Sequence, residues 1–298
     1  MYNEIAANKR KSWFLVLLFI VVIGLLGYTW GIYSGDTFGA LSLAGIIAII
    51  MALASYYAGD KVALSLAGAY PVKTRDQNPY LWNLVENLCI AKGLPMPKVY
   101  LLPEQAINAF ATGRQPACAS IAVTEGAVAK LENEELEGVL AHELSHIANY
   151  DIRFATLVII LLGVLSILSD IFLRSTHFIG GGKRSNSRGG NATGILLLIG
   201  LVLALLSPII GKLIQLAVSR RREFLADASG ALLTRYPEGL AKALEKIQQD
   251  GLPMSRVSEA TAHLYLTSPF GARPSFLGRL FMTHPPIAER VVALRKMV

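Results

Sequence analysis

The chain has 298 residues, a length that suits one or two domains. Hydrophobic residues make up 53% of it, charged residues only 16%, and the mean hydropathy is +0.47, which excludes an ordinary soluble enzyme and indicates membrane segments. The net charge of +7 could indicate nucleic-acid binding, but the basic residues lie beside apolar stretches, a distribution typical of membrane orientation rather than of a phosphate-binding surface.

Residues 1–60 are predicted to form a transmembrane hairpin. An apolar run at about 13–33 is followed by a second at about 38–57, and each is long enough to cross a bilayer as a helix. A cleavable signal peptide is the alternative for the first run, but its length and the second run directly after it favour an uncleaved anchor. The connecting turn carries no Lys or Arg whereas basic residues follow the pair, so residues 61–298 are expected in the cytoplasm.

The composition turns soluble after the hairpin, and three short runs are typical of β-strands: 98–102, 106–112 and 119–124. Small residues in the middle run would let another backbone approach closely. An edge strand of a protease binds an extended substrate in this way. The candidate substrate-binding residues are therefore Asn108, Ala109, Phe110 and Ala111. An ordinary interior strand is an equally supported alternative.

The sequence His-Glu-x-x-His occupies positions 142–146 inside a predicted helix. One helical turn separates His142 from His146, so both imidazoles leave the same face, as two ligands of one tetrahedral metal must. Glu143 lies about 100° round the helix and can take a proton from metal-bound water without being a ligand. The alternative is an ordinary helix on which two His stand one turn apart by chance.

Two further apolar runs, at about 154–173 and 193–218, interrupt the cytoplasmic domain. If both cross the membrane, the chain returns to the side from which it left. If both turn back within protein or lie at the interface, it also stays on one side. If both runs cross, the basic loop between them lies outside, against the positive-inside rule, whereas in the second arrangement it stays in the cytoplasm. In either case the segments that flank the runs can meet.

The last of these runs leads into Glu223 and Asp227, which share a face one turn apart in a continuing helix. Glu223 can be the third metal ligand, and Asp227 can accept the free ring N–H of a ligating His. A set of two His and one Glu leaves one position open, as a catalytic zinc needs. A solvated charge run is the alternative, but the combination with His142 and His146 favours the metal site.

The chain from about residue 236 onwards is predicted to be soluble and helical, with His284 just before the last helix and Arg290 within it. Either side chain could reach the site and stabilise the oxyanion of a tetrahedral intermediate. A capping or packing His and a surface Arg are the alternatives on the residues alone.

Together these features resemble the HtpX-type membrane metalloproteases, bacterial heat-shock proteases related to the eukaryotic prenyl-protein protease. The resemblance covers nearly the whole chain and is carried by the hairpin, the two later apolar runs and five motifs: Asn108–Gly113, His142–His146 followed by Asn149 and Asp151, Glu223–Asp227, Thr283–Pro286, and Glu289 with Arg290. It implies a membrane α-helical protein with an α+β gluzincin-type domain, mostly helical with a small β-sheet. It also implies one zinc ion per chain and supports Glu143, His284 and Arg290 as catalytic residues. Asn149 and Asp227 are expected in contact with the metal ligands.

The predicted function is that of an integral-membrane zinc metalloendopeptidase with its active site on the cytoplasmic side of the bacterial inner membrane. By the same resemblance, its expected substrates are misfolded or damaged membrane proteins, and its other expected partner is the lipid bilayer; nucleic acid is not expected. The alternatives are a membrane-bound zinc hydrolase of a non-peptide substrate and an inactive membrane scaffold. Intact metal and base positions disfavour the scaffold.

Overall fold

The computed structural model describes residues 2–159, 220–257, 261–271 and 285–297. This part of the chain is mostly helical with one small mixed sheet, which confirms the predicted fold class. Most of the third and fourth apolar runs, and the candidate catalytic His284, lie outside the described residues.

Two long helices form the N-terminal hairpin: α1 (Tyr2–Ser34) and α2 (Thr37–Leu66). Both are long and apolar enough to cross a membrane, and large apolar side chains on each face outward. Their exposure suits contact with lipid rather than with water. Gly27 of α1 lies directly against Ala44 of α2, and a Cβ at position 27 would collide with the Ala44 methyl group. The missing side chain of Gly27 therefore lets the two helices approach closely. Both helices extend past the predicted spans, since polar residues continue α1 at its N-terminal end and α2 at its C-terminal end.

The four-stranded sheet follows the hairpin and has the order β1-β2-β4-β3, with β2 and β4 parallel and the other pairs antiparallel. The strands are β1 (Tyr70–Val72), β2 (Lys98–Leu102), β3 (Ala109–Gly113) and β4 (Ala119–Thr124). Strands β2 and β4 match two of the predicted runs, and β3 begins three residues later and ends one residue later than the predicted run 106–112. Strand β1 was not predicted, because three residues carry no usable periodicity. In the described part of the chain, β3 pairs with another strand on one side only.

The helices of the domain are α3 (Pro79–Lys92), α4 (Glu125–Lys130), α5 (Asn133–Ala148), α6 (residues 151–159, where the described segment stops), α7 (Arg220–Thr234), α8 (Pro237–Asp250) and α9 (Ile287–Arg295). Helix α5 is central, because its apolar residues pack in one core with the sheet and with α3, α7 and α8. A reciprocal capping box between Glu132 and Glu135 begins it. Gly230 lets α7 approach α5, since a Cβ there would lie 3.1 Å from the backbone nitrogen of His142. The spacing between these two helices determines the geometry of the site.

Candidate metal and catalytic site

Helix α5 places the two histidines of the motif side by side, as the spacing predicts. The Nε2 atoms of His142 and His146 lie 3.1 Å apart, and the ring planes are nearly perpendicular at 85°. Two imidazoles on one tetrahedral zinc, each at about 2.05 Å, would have their nitrogens about 3.3 Å apart. The two rings are therefore close to a metal-binding arrangement.

Helix α7 brings the third candidate ligand to the same point. Glu223 Oε2 lies 3.8 Å from His142 Nε2, and Glu223 Oε1 lies 3.5 Å from His146 Nε2. One ligand atom from each of the three residues fits within 4.8 Å of the others, so the group could hold a metal ion. Two imidazole nitrogens and a carboxylate suit zinc and similar divalent ions, and the set leaves further positions open for water or substrate.

A buried carboxylate holds the ring of His142 from behind. Asp227 Oδ1 lies 2.8 Å from His142 Nδ1, as predicted for this residue. An Nδ1–H donated to this carboxylate leaves the Nε2 lone pair for a metal. Burial would raise the pKa of Asp227, but the guanidinium of Arg290 and the ring of His142 together outweigh it and lower that pKa.

The ring of His146 has an equivalent partner in Asp151, whereas Asn149, which was expected in contact with the metal ligands, has a different role. Asp151 Oδ2 lies 3.0 Å from His146 Nδ1. Asn149 ends α5, and its backbone carbonyl accepts a hydrogen bond from Asn8, whereas its side-chain oxygen has no hydrogen-bond partner among the described residues. The chain turns between α5 and α6, so helical spacing does not reach Asp151. Its place in the motif was recognised from the sequence, but its contact was not.

The candidate base Glu143 is 2% exposed and lines the same cavity as the three ligands. Burial raises the pKa of Glu143 to about 7, although the backbone N–H of Ala111 donates a hydrogen bond to it. Burial likewise lowers the pKa of His142 to about 4, which keeps this ring neutral, as a ligand must be. For His146 burial also lowers the pKa, but Asp151 and Glu223 outweigh it and raise it to about 9.

Strand β3 runs past this cavity with alternate backbone groups directed away from β4. The carbonyl of Ala109 accepts a hydrogen bond from Leu266 N at 2.9 Å, and Gly113 N donates to Thr156 Oγ1 at 3.1 Å. Ala111 lies between them, and its N–H donates to Glu143. The described edge of β3 is thus occupied at both ends, and its middle residue faces the site.

Of the four predicted substrate-binding residues, Ala111 lines the cavity and the others have different roles. Asn108 holds the segment 261–271, since its Nδ2 donates to Thr267 O at 3.2 Å. Phe110 is fully buried and packs edge-on against Tyr265, with ring centroids 5.1 Å apart. Residues 263–266 of the same segment form one wall of the cavity.

Arg290 lies behind the ligands, which differs from the expected contact with an oxyanion. Its side chain is 0% exposed and does not line the cavity. Its Nε and Nη2 donate to the two oxygens of Asp227 at 2.9 and 2.7 Å. Arg290 therefore positions Asp227, and through it His142, because a buried guanidinium binds a carboxylate most strongly through two parallel hydrogen bonds.

Replacing Arg290 by Met is expected to lower the free energy of unfolding by about 3–5 kcal/mol, because Asp227 would remain buried without its counter-charge. Arg295→Met on the same helix is the matched control, since Arg295 is 44% exposed and its ion pairs with Glu238 and Glu245 lie at the surface. Loss of such surface pairs should cost at most about 1 kcal/mol. Equilibrium unfolding of both variants in detergent makes the comparison. Equal losses would contradict the buried role of Arg290.

Comparison with known proteins gives findings of three kinds, which are a family model, two relatives and a solved structure. The model of peptidase family M48 matches residues 75–298. The chain is 43% identical over 297 residues to the "Protease HtpX homolog" of Tropheryma whipplei (strain Twist), which covers 100% of this chain and 98% of that protein. It is 42% identical over 304 residues to the "Protease HtpX homolog" of Listeria monocytogenes serotype 4a (strain HCC23), with 100% of both covered. Among solved structures, the crystal structure of S. mikatae Ste24p is similar, with 20% identity, a TM-score of 0.49, and 99% of this chain and 67% of that one covered.

Proposed function

This chain belongs to peptidase family M48, and from that premise we propose that it is a zinc-dependent endopeptidase anchored in the membrane. The observation that carries the proposal is the convergence of His142, His146 and Glu223 around one point, with the buried carboxyl of Glu143 in the same cavity. Relatives that are named proteases match the chain over its whole length, and its two N-terminal helices suit a membrane.

Zinc fits the three ligands, because it favours tetrahedral coordination by nitrogen and oxygen donors. When bound, zinc supplies Lewis acidity that polarises a peptide carbonyl and lowers the pKa of water towards neutrality. Asp227 and Asp151 hold the two rings so that both Nε2 atoms face the same point. Glu223 adds a negative charge, which favours a divalent cation over a proton at the site.

Glu143 moves the proton in this proposal. As a carboxylate it takes a proton from the attacking water, and it then passes that proton to the leaving amine, so that water and a peptide bond become a carboxylic acid and an amine. A pKa of about 7, produced by burial, suits a group that must first accept and then donate a proton near neutral pH. The N–H of Ala111 orients the carboxyl group.

The substrate is an extended polypeptide that lies beside β3 and pairs with the backbone carbonyl of Ala111. Because Leu266 and Thr156 already bond the neighbouring outward-facing positions, an incoming segment can pair with this edge of β3 only at Ala111. Such a segment must be extended, and unfolded chains supply extended segments. Misfolded or damaged membrane proteins offer such segments close to the hairpin. We place the site on the cytoplasmic side of the bacterial inner membrane, because the loop between α1 and α2 carries no Lys or Arg and the relatives are bacterial.

The experiment is hydrolysis of an unfolded membrane-protein fragment by the full chain in detergent. We expect cleavage that stops when a chelator removes the metal and returns when zinc is added back. The folded form of the same substrate should remain intact. Hydrolysis of a simple ester without cleavage of any polypeptide would instead indicate a zinc hydrolase of a non-peptide substrate.

A further inference from the structure

A polar side chain of the membrane hairpin reaches the back of the metal site. Asn8, in the first part of α1, is 1% exposed. Its Nδ2 donates to Asp151 Oδ1 at 2.7 Å and to the carbonyl of Asn149 at 3.0 Å. These contacts join residues more than 140 positions apart in the chain. They connect the membrane anchor directly to the turn between α5 and α6.

Asn8 and a metal ligand hold opposite oxygens of one carboxylate. Asp151 Oδ1 accepts from Asn8, and Asp151 Oδ2 lies 3.0 Å from Nδ1 of His146. Arg222 completes the cluster, because its Nη1 lies 3.1 Å from Asp151 Oδ1 and 3.3 Å from Asn8 Oδ1. Both N–H groups and the oxygen of the Asn8 amide therefore have partners. A buried hydrogen-bond network of this kind favours one arrangement of its members.

The backbone that carries Asp151 also depends on α1. Tyr150, just before it, has a φ of 61°, in the left-handed region that a bulky residue rarely adopts. Such a conformation persists when its surroundings determine it. Here α1 contributes twice, since Asn8 binds the carbonyl of Asn149 and the ammonium of Lys9 lies 4.5 Å from the centre of the Tyr150 ring. Apolar residues of α1 pack against α6 in one cluster and hold the two helices together.

We propose that Asn8 is a positioning residue of the metal site, which acts through Asp151 to fix the orientation of the His146 ring. The membrane hairpin is then a part of the metal site as well as an anchor. This inference rests on the proposed function to the extent that His146 must be a zinc ligand. Loss of a contact that orients a ligating His typically lowers metal affinity or activity by about 10–100-fold.

The test measures the zinc dissociation constant of the full chain in detergent, by competition with a chromophoric chelator. Asn8→Ala should raise that constant about 10–100-fold. Ser12→Ala is the matched control, because Ser12 lies one turn further along α1, is equally buried, and donates only to the backbone carbonyl of Asn8. Its zinc affinity should equal that of the unaltered chain. Asn8→Gln, which keeps the amide but displaces it, should give an intermediate loss and replaces Asn8→Ala if that variant does not fold.

A double-mutant cycle with Asp151→Ala shows whether Asn8 acts through Asp151. We expect each single change to weaken zinc binding and the double change to weaken it no further than Asp151→Ala alone, since Asn8 has no carboxylate to act through once Asp151 is truncated. Fully additive losses, or zinc affinities of Asn8→Ala and Asn8→Gln within twofold of the control, would overturn the inference while leaving the proposed function intact. If His146→Ala binds zinc as tightly as the unaltered chain, both the inference and the proposed ligand set fail.

Discussion

Replacing Glu143 by Gln is expected to lower kcat for peptide hydrolysis by about 10²- to 10⁴-fold, the range that general acid–base catalysis contributes. Glutamine has the size of Glu143 and can still accept the hydrogen bond from Ala111, but it cannot take a proton from water. Because the site is buried and disfavours charge on Glu143, the neutral amide should not destabilise the fold. Steady-state kinetics on an unfolded polypeptide, with metal content measured on the same sample, tests this directly.

The Glu143→Gln protein should contain as much zinc as the unaltered chain, since Glu143 is not one of the three residues that converge on the metal position. Loss of both zinc and activity would make Glu143 a ligand or a structural group. Cleavage at an undiminished rate would show that another group is the base, or that a contaminating protease produced the cleavage.

Replacing Glu223 by Ala is expected to weaken zinc binding by more than the roughly 100-fold that loss of an outer contact costs, because a direct ligand is removed. The two rings would remain in place, held by Asp227 and Asp151, but two neutral donors do not neutralise a divalent ion. Peptide hydrolysis by Glu223→Ala should be lost. Added zinc should not restore it below concentrations at which zinc also binds nonspecifically to the protein.

Glu134→Ala serves as the control for Glu223→Ala. Glu134 is an exposed glutamate in the first turn of α5, so its removal changes the net charge equally without touching the site. It should keep both metal and activity. An unchanged zinc affinity in Glu223→Ala, measured by competition with a chelator, would show that α7 supplies a different ligand.

The sequence predicts those parts of the site that depend on spacing within one helix. His142 and His146 lie one turn apart on α5, and Glu223 and Asp227 lie one turn apart on α7, so helical geometry alone brings each pair to one face. The residue types predicted that the two pairs meet, because two His and one Glu together can bind one metal ion. Close packing of α7 against α5 at Gly230 brings the two pairs together, and the spacing of residues in the sequence does not reveal this packing.

Contacts between distant parts of the chain were not predictable in this way. Asn8 precedes a basic cluster at the start of an apolar helix, and this pattern does not indicate a contact with the metal site. Arg290 occurs in a surface-like amphipathic segment, yet it is fully buried because α9 packs behind α7 and α8. Both side chains find carboxylates supplied by other elements, and only the tertiary packing determines which ones.

Substrate binding at the edge strand stays a prediction for a similar reason. Small residues indicated close backbone approach at β3, but they did not show which partner approaches. Part of that edge is taken by the chain itself, through Leu266 and Thr156. Ala111 remains the position where a substrate backbone can meet Glu143.

The most direct test of the metal site is zinc K-edge X-ray absorption of the full chain, loaded with one equivalent of zinc in detergent. We expect first-shell nitrogen and oxygen scatterers at about 2.0–2.2 Å, with the outer-shell signature of two imidazole rings. That result would agree with His142, His146 and Glu223 as ligands. A sulfur scatterer near 2.3 Å, which would implicate Cys89 or Cys118, or the absence of any imidazole signature, would contradict the site described here.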